Sequence, residues 1–236
     1  LESLRVCSVA GAPIARDVVE RFEKLTGAPL LNIYGATEAG GISRELLGVP
    51  RRAGCAGPWG GTVEAKIVNA EGNPVPAGVP GEIVARGLTV IRGYWRGGKV
   101  DDQSLPDGWF HTGDIGVLED GFVRILDRAK DMIITAGANI YPAEVEAVLA
   151  KHPKVSLAAV VGVPERVKGE IAVAYVILKQ SDPATVEELE AHCREHLSSY
   201  KVPKKFLVVQ SLPMTPTGKI QKRELRSMAA DSFGAG

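Results

Sequence analysis

The stretch DRAKDMIITAGANIYPAEVE, residues 127–146, limits the folds open to this chain more than any other. Charge is packed at its start, an apolar run follows at residues 132–134, small residues make a loop at 136–138, and a helix start closes it. Pro142 suits a first helical position, where its missing N–H costs nothing, and Glu144 and Glu146 lie where acidic groups favour the helix dipole. A charged pivot, a strand, an exposed loop and a helix in that order mark the opening of a new domain. The expected division is therefore residues 1–127 and residues 128–236.

The two sides differ in texture. Residues 5–10 read as a strand, and Gly11, Ala12 and Pro13 turn into a helix whose apolar face is Ile14, Val18, Phe22 and Leu25 and which Gly27 ends. Residues 29–34 return as a second strand, giving a β-α-β unit with parallel neighbours. Ligands of open α/β sheets bind at the carboxyl ends of strands, and these two ends carry Gly11-Ala12-Pro13 and the YGATE of residues 34–38. Residues 62–128 change to short alternating segments broken by turns at 71–73 and 119–121, which predicts an antiparallel β subdomain. Gly97, Gly98 and Lys99 lack the strand-to-helix setting of a phosphate loop and read as a plain turn.

Beyond the pivot, strands at 155–163 and 171–178 alternate with helices at 142–151 and 185–199, the second opened by a capping box of Thr185 and Glu188. A strand at 206–210 and a short helix from about Arg223 complete a compact α+β domain. The fold class expected of the whole is α/β plus α+β.

Lysine plus arginine equals aspartate plus glutamate at 28 each, so no overall field draws nucleic acid or an anionic membrane, and a small substrate is expected. Residues 201–226 hold seven basic side chains and one acidic, a pattern open to two readings, a solvated face or a surface for phosphate groups. Cys7, Cys55 and Cys193 are widely spaced and fit no zinc pattern, which suits packing in a reducing, cytoplasmic setting. The longest uncharged apolar run is the nine residues 155–163, whereas a bilayer needs roughly 20, so no membrane segment is expected. The chain opens on Leu1, already in the course of a strand, and reads as a piece of a longer protein.

Four motifs occur in one order: YGATE at 34–38, WFHTGD at 109–114, DRAKD at 127–131 and PTGK at 216–219. A charged turn such as DRAKD is by itself ordinary solvated surface. Together the four resemble the adenylate-forming superfamily, and most closely the C-terminal part of an acyl-CoA synthetase, over the chain up to about Arg226. The resemblance implies the end of a large nucleotide- and acyl-binding domain, followed by a small mobile C-terminal domain. It implies that a carboxylic acid, expected to be a fatty acid, reacts with ATP to give acyl-adenylate and pyrophosphate, and that coenzyme A then takes the acyl group and releases AMP.

The same resemblance assigns roles. Gly11, Ala12, Pro13, Tyr34, Gly35 and Ala36 would border the nucleotide, with Tyr34 stacked on adenine. The Thr37 hydroxyl would hold a phosphate oxygen and Glu38 would ligate Mg²⁺, a cation that prefers oxygen. Asp114 and Arg128 would hold the ribose, Lys219 would supply the catalytic point charge, Lys130 would be the hinge, and Gly137 would face the pantetheine arm. His111 and Trp109 are read as packing. The Ser/Thr/Gly-rich loop that wraps the outer phosphates in the family has no counterpart here, so the chain alone is expected not to adenylate. Two other readings are a non-catalytic nucleotide-binding module and an adenylation domain that loads a carrier protein. Intact Glu38, Asp114, Arg128 and Lys219 argue against the first, and the small-residue tail of residues 227–236 offers the second no carrier domain.

Overall fold

A computed structural model describes residues 2–11, 14, 16–52, 54–101, 105–179, 183–216 and 218–233. The chain forms two compact units, Leu1–Leu126 and Asp127–Gly236.

The first unit begins with β1 (Cys7–Ala10), α1 (Arg16–Thr26) and β2 (Leu30–Ala36), and β1 and β2 pair in parallel as the crossover requires. An added strand, β3 (Gly40–Arg44), folds back antiparallel on β2. Next come β4 (Glu64–Val68), β5 (Gly81–Arg86), a hairpin of β6 (Tyr94–Arg96) and β7 (Lys99–Asp101), β8 (Phe110–Glu119) and β9 (Phe122–Arg128). The four longer strands make a sheet in the order β4-β5-β8-β9, the antiparallel subdomain that the alternating texture predicts. Gly97 and Gly98, at φ 56° and 84°, form the β6–β7 turn, a conformation that favours glycine at both positions. Ala39 and Ile42 from the β2–β3 hairpin pack with Ile67, Ile83, Ala85, Phe110 and Val123, so the hairpin and the larger sheet share one core.

The apolar face expected of α1 is not buried. The helix buries no residue, and Val18 and Leu25 are 46% and 79% exposed. Among the described residues no surface covers that stripe.

The second unit contains β10 (Ile133–Thr135), β11 (Ala138–Ile140), α2 (Pro142–Ala150), β12 (Val155–Glu165), β13 (Gly169–Leu178), α3 (Val186–His196), β14 (Lys205–Val208) and α4 (Lys222–Phe233). The strands form one sheet in the order β11-β10-β13-β12, with β14 parallel to β13. Alternate residues of β12 enter two different cores. Val160 joins Val145, Leu149, Leu189 and Cys193 from α2 and α3, whereas Ala159 and Val161 join Leu225 and Ala229 from α4. Both faces of β12 are therefore covered, which explains why its sequence is a continuous apolar run and not an alternation. Thr185 and Glu188 form the capping box at the start of α3. Among the described residues no helix is long and apolar enough to cross a membrane.

Candidate active site

The motif YGATE ends β2 and turns into β3. Ala39 donates its N–H to the Ala36 carbonyl at 3.1 Å, which leaves Thr37 and Glu38 at the tip of a tight turn with the Thr37 side chain exposed. Gly35 is required for a steric reason: a Cβ there would collide with the carbonyl oxygen of Gly40 on the facing strand. The turn is also braced from outside, since Ile91 donates its N–H to the Glu38 carbonyl at 2.8 Å and the Thr89 hydroxyl donates to the Ala39 carbonyl at 2.9 Å.

Two side chains of the motif have partners far away in sequence. The Tyr34 hydroxyl donates to Asp114 Oδ2 at 2.9 Å, bringing together the residues expected to read adenine and ribose. The Tyr94 hydroxyl donates to Glu38 Oε1 at 2.7 Å. That hydrogen bond, reinforced by burial, pushes the Tyr94 phenol above its usual pKa, so it remains a proton donor to the carboxylate near neutral pH. Among the described residues no group of three or more His, Cys, Asp and Glu side chains could hold a metal ion.

Asp114 owes its position to Glu82 on β5. Glu82 Oε1 accepts the Gly113 N–H at 2.9 Å and Oε2 lies 2.8 Å from His111 Nδ1, while the Thr112 hydroxyl donates to the Ile83 carbonyl at 2.8 Å and accepts the Asp114 N–H at 3.0 Å. The HTGD segment is thus pinned to β5 on both sides of Gly113, whose φ of 69° makes the bend. His111 is a brace. The Trp109 ring lies beneath two cations, Lys66 Nζ at 4.2 Å and the Arg86 guanidinium at 4.6 Å from its centroid. Neither residue was expected to do more than pack.

In the second unit, Lys219 is exposed on a loop closed by Thr215: Thr215 donates its N–H to the Lys219 carbonyl at 2.8 Å, and its hydroxyl accepts the Lys219 N–H at 3.0 Å. Gly218, at φ 79°, makes the turn. Arg128 and Lys130 are exposed, with Lys130 inside a single 3₁₀ turn, Ala129–Asp131. Gly137, at φ 82°, follows Ala136 at φ 49° in the β10–β11 turn. Beside that turn lies a cleft of about 300 Å³ lined by Thr135, Ala136, Ala138, Lys168, Tyr200 and Lys204. Gly11, at φ 91°, sits at the carboxyl end of β1, and Ala12 and Pro13 lie outside the described residues.

Sequence reasoning singles out neither Tyr94 nor Glu82, since each acts on a partner dozens of residues away and no local pattern announces such a pairing, whereas Lys204 of the cleft belongs to the basic segment 201–226.

A β-α-β unit with the Thr37–Glu38 turn at its strand end and a second unit with Lys219 on an exposed loop are the arrangement expected of the adenylate-forming class of enzymes. Residues 1–95 match the model of the AMP-binding enzyme family and residues 144–219 match that of the AMP-binding enzyme C-terminal domain; the chain belongs to this family. A long-chain-fatty-acid–CoA ligase of Escherichia coli is 42% identical over 229 residues, which are 96% of this chain and 41% of that protein. A feruloyl-CoA synthase of an Amycolatopsis species is 40% identical over 96% of this chain and 46% of its own length. The o-succinylbenzoate CoA synthetase of Bacillus subtilis, solved with its acyl-adenylate, matches with a TM-score of 0.85 at 34% identity, over 96% of this chain and 46% of that one. The chain spans less than half the length of the relatives it matches.

Proposed function

We propose that this chain is part of an ATP-dependent acid–thiol ligase that activates a long-chain fatty acid. A carboxylate is a poor electrophile because its charge is delocalised. Its oxygen attacks the α-phosphorus of ATP, the bond to pyrophosphate breaks, and the acyl carbon gains a good leaving group. The thiolate of coenzyme A then attacks that carbon and AMP departs. The contact that carries this reading is the hydrogen bond from Tyr34 to Asp114, which joins a base-stacking ring to a ribose-type carboxylate beside the Thr37–Glu38 turn.

In this reading the Tyr34 ring stacks on adenine, Asp114 and Arg128 take the ribose hydroxyls, and the exposed Thr37 hydroxyl donates to a phosphate oxygen. Gly11 and Gly35, which carry no Cβ, give the nucleotide close access to backbone, and Ala12, Pro13 and Ala36 are expected to border it. Glu38 is a fitting ligand for Mg²⁺, because that ion is held by one or two carboxylates plus substrate phosphates and needs no all-protein cage. The ion would neutralise charge on the leaving pyrophosphate. The Lys219 ammonium, on its exposed loop, places a point charge against the α-phosphate and the developing oxyanion. For the second step the small domain turns about Lys130 and the Gly137 turn meets the pantetheine arm. The neighbouring cleft, with Lys168 and Lys204, suits the phosphates of coenzyme A. Three free cysteines, Cys7, Cys55 and Cys193, are in keeping with the reducing cytoplasm.

The test supplies the full-length parent with ATP, coenzyme A and a panel of carboxylic acids and resolves the products by mass. Long-chain acyl-CoA with one AMP per thioester is expected. Turnover of aromatic acids alone would move the substrate class, and ADP in place of AMP would end the proposal.

A further inference from the structure

Lys219 sits on a hairpin that is tied both at its base and at its tip. Its two stalks are rooted in one core: Leu212 before it and Leu225 after it are buried together with Ala229, and Ile220 packs partly against them. Met214 and Ile220 face each other across an antiparallel bridge, and Gln221 donates its N–H to the Pro213 carbonyl at 2.8 Å. The Gln221 side chain adds a second tie, Nε2 donating to the Met214 carbonyl at 3.1 Å, while its own carbonyl accepts the Glu224 N–H at 3.0 Å at the start of α4. At the tip, the Thr215 carbonyl accepts the Gly218 N–H at 2.9 Å. Thr215 also meets Lys219 twice, its N–H donating to the Lys219 carbonyl at 2.8 Å and its hydroxyl accepting the Lys219 N–H at 3.0 Å.

A lysine is a point charge on a flexible four-carbon stem, so the region its ammonium can reach is set by the peptide that carries it. The Thr215 hydroxyl fixes that peptide through its amide, and the Gln221 amide fixes the base on which the tip stands. The stalks themselves are secured in the core by Leu212, Ile220 and Leu225, so the two polar side chains act on the shape of the hairpin and not on its attachment. We propose that Thr215 and Gln221 are positioning residues for Lys219: they hold the hairpin in one shape, so that the ammonium meets the α-phosphate and the developing oxyanion without first having to be ordered. This role rests on the reading of Lys219 as the charge of the first half-reaction, and both residues act through Lys219.

The experiment measures both half-reactions of the full-length parent, acyl-adenylate formation by pyrophosphate release and thioester formation from synthetic acyl-adenylate with coenzyme A. Lys219→Ala comes first: acyl-adenylate formation unaffected by it would defeat the reading of Lys219 itself, and the positioning role with it. In a parent that depends on Lys219, Thr215→Val, which keeps the shape of the side chain and removes the hydroxyl, is expected to lower kcat for acyl-adenylate formation about tenfold to hundredfold. The KM for ATP and the rate of thioester formation should stay within about twofold of wild type, as loss of an interaction made only in the transition state requires. Thr215→Ser keeps the acceptor and is expected to stay within about threefold of wild type. Gln221→Met, which keeps the length and loses the donor, should show the same pattern at about threefold to tenfold, and it carries the test if the valine variant fails to fold. The deciding measurement is the double variant: in a Lys219→Ala background, either substitution should change acyl-adenylate formation less than about twofold, because the group it positions is gone. An undiminished effect in that background, an unchanged kcat in the single variants, equal loss in both half-reactions, or a serine variant as slow as valine would each overturn the positioning role.

Discussion

Glu146 and Lys222 form one of the ion pairs that fasten α4 to the rest of the second unit, and the consequence of breaking it can be worked from the structure. Lys222 Nζ lies 2.8 Å from Glu146 Oε1, the same oxygen that accepts the Val160 N–H at 2.7 Å, and the two side chains keep only 17% and 22% of their exposure. Burial raises the Glu146 pKa above 4.5, and the Lys222 charge and hydrogen bond work against that rise. In Lys222→Met the carboxylate loses its cation but stays half-buried. Removing one partner of a fully buried pair costs about 3–5 kcal/mol, so residual solvation here suggests about 2–3 kcal/mol at pH 8. For a unit of this size that lowers the melting temperature by roughly 10 °C.

The sign of the pH dependence follows from the direction of the shift. A carboxyl whose folded pKa is raised contributes stability that is present below its unfolded value and lost as pH rises through the folded value. The deficit of Lys222→Met should therefore be largest at pH 8 and shrink as the pH falls toward 5. Adding Glu146→Gln should recover most of the loss, because the amide oxygen can still accept the Val160 N–H. Calorimetry reads the transition of the second unit, and Trp59, Trp95 and Trp109 report the first by fluorescence as an internal control. A deficit equal at pH 5 and pH 8 would mean that Lys222 acts through packing, and the electrostatic argument would fail.

Gly35→Ala in the parent should force β2 and β3 apart at the Gly40 carbonyl and weaken AMP binding by at least about tenfold, with no change in the transition of the second unit; unaltered affinity by titration calorimetry would exclude the steric role. His152 is 9% exposed, and burial, with the nearby His192, holds its pKa below 6.5; its Nδ1 accepts the Lys154 N–H at 3.3 Å. A depressed histidine contributes stability above pH 6.5 that is lost as pH falls through the folded value, so melting of the second unit should drop on acidification. His152→Asn, which keeps an acceptor and does not titrate, should flatten that slope, and an unchanged slope would clear His152 of the effect.

Much of the architecture is legible from periodicity, because burial on one face or two writes itself into spacing. The parallel β1–β2 pair and the strand β12 are readable for that reason, and the start of α3 is readable from its capping box. Two strands are not. The sequence of β3, GGISR, carries two glycines and no alternation, and its place is fixed by the tight approach of Gly35 to Gly40. The three residues of β11 follow a turn that puts Ala136 at positive φ, so the stretch looks like loop until its pairing with β10 is seen. The stripe on α1 misled in the other direction: amphipathicity shows which face could be buried, while burial itself depends on a neighbouring surface. At the candidate site, Thr37, Glu38, Asp114 and Lys219 stand out by motif. The braces behind them, Tyr94 and Glu82, act across 56 and 31 positions and leave no trace in local pattern.

The claim at the centre is that Lys219, carried by the small domain, serves one half-reaction and leaves the site for the other. Lys219→Ala in the full-length parent measures it directly, with the two half-reactions assayed apart. Removing a preorganised charge from a developing oxyanion costs about 100-fold to 1,000-fold in rate, so acyl-adenylate formation should fall by that order. Thioester formation from synthetic acyl-adenylate and coenzyme A should stay within about twofold of wild type. A variant disabled equally in both assays would contradict the claim and make Lys219 a residue of the fold or of coenzyme A binding.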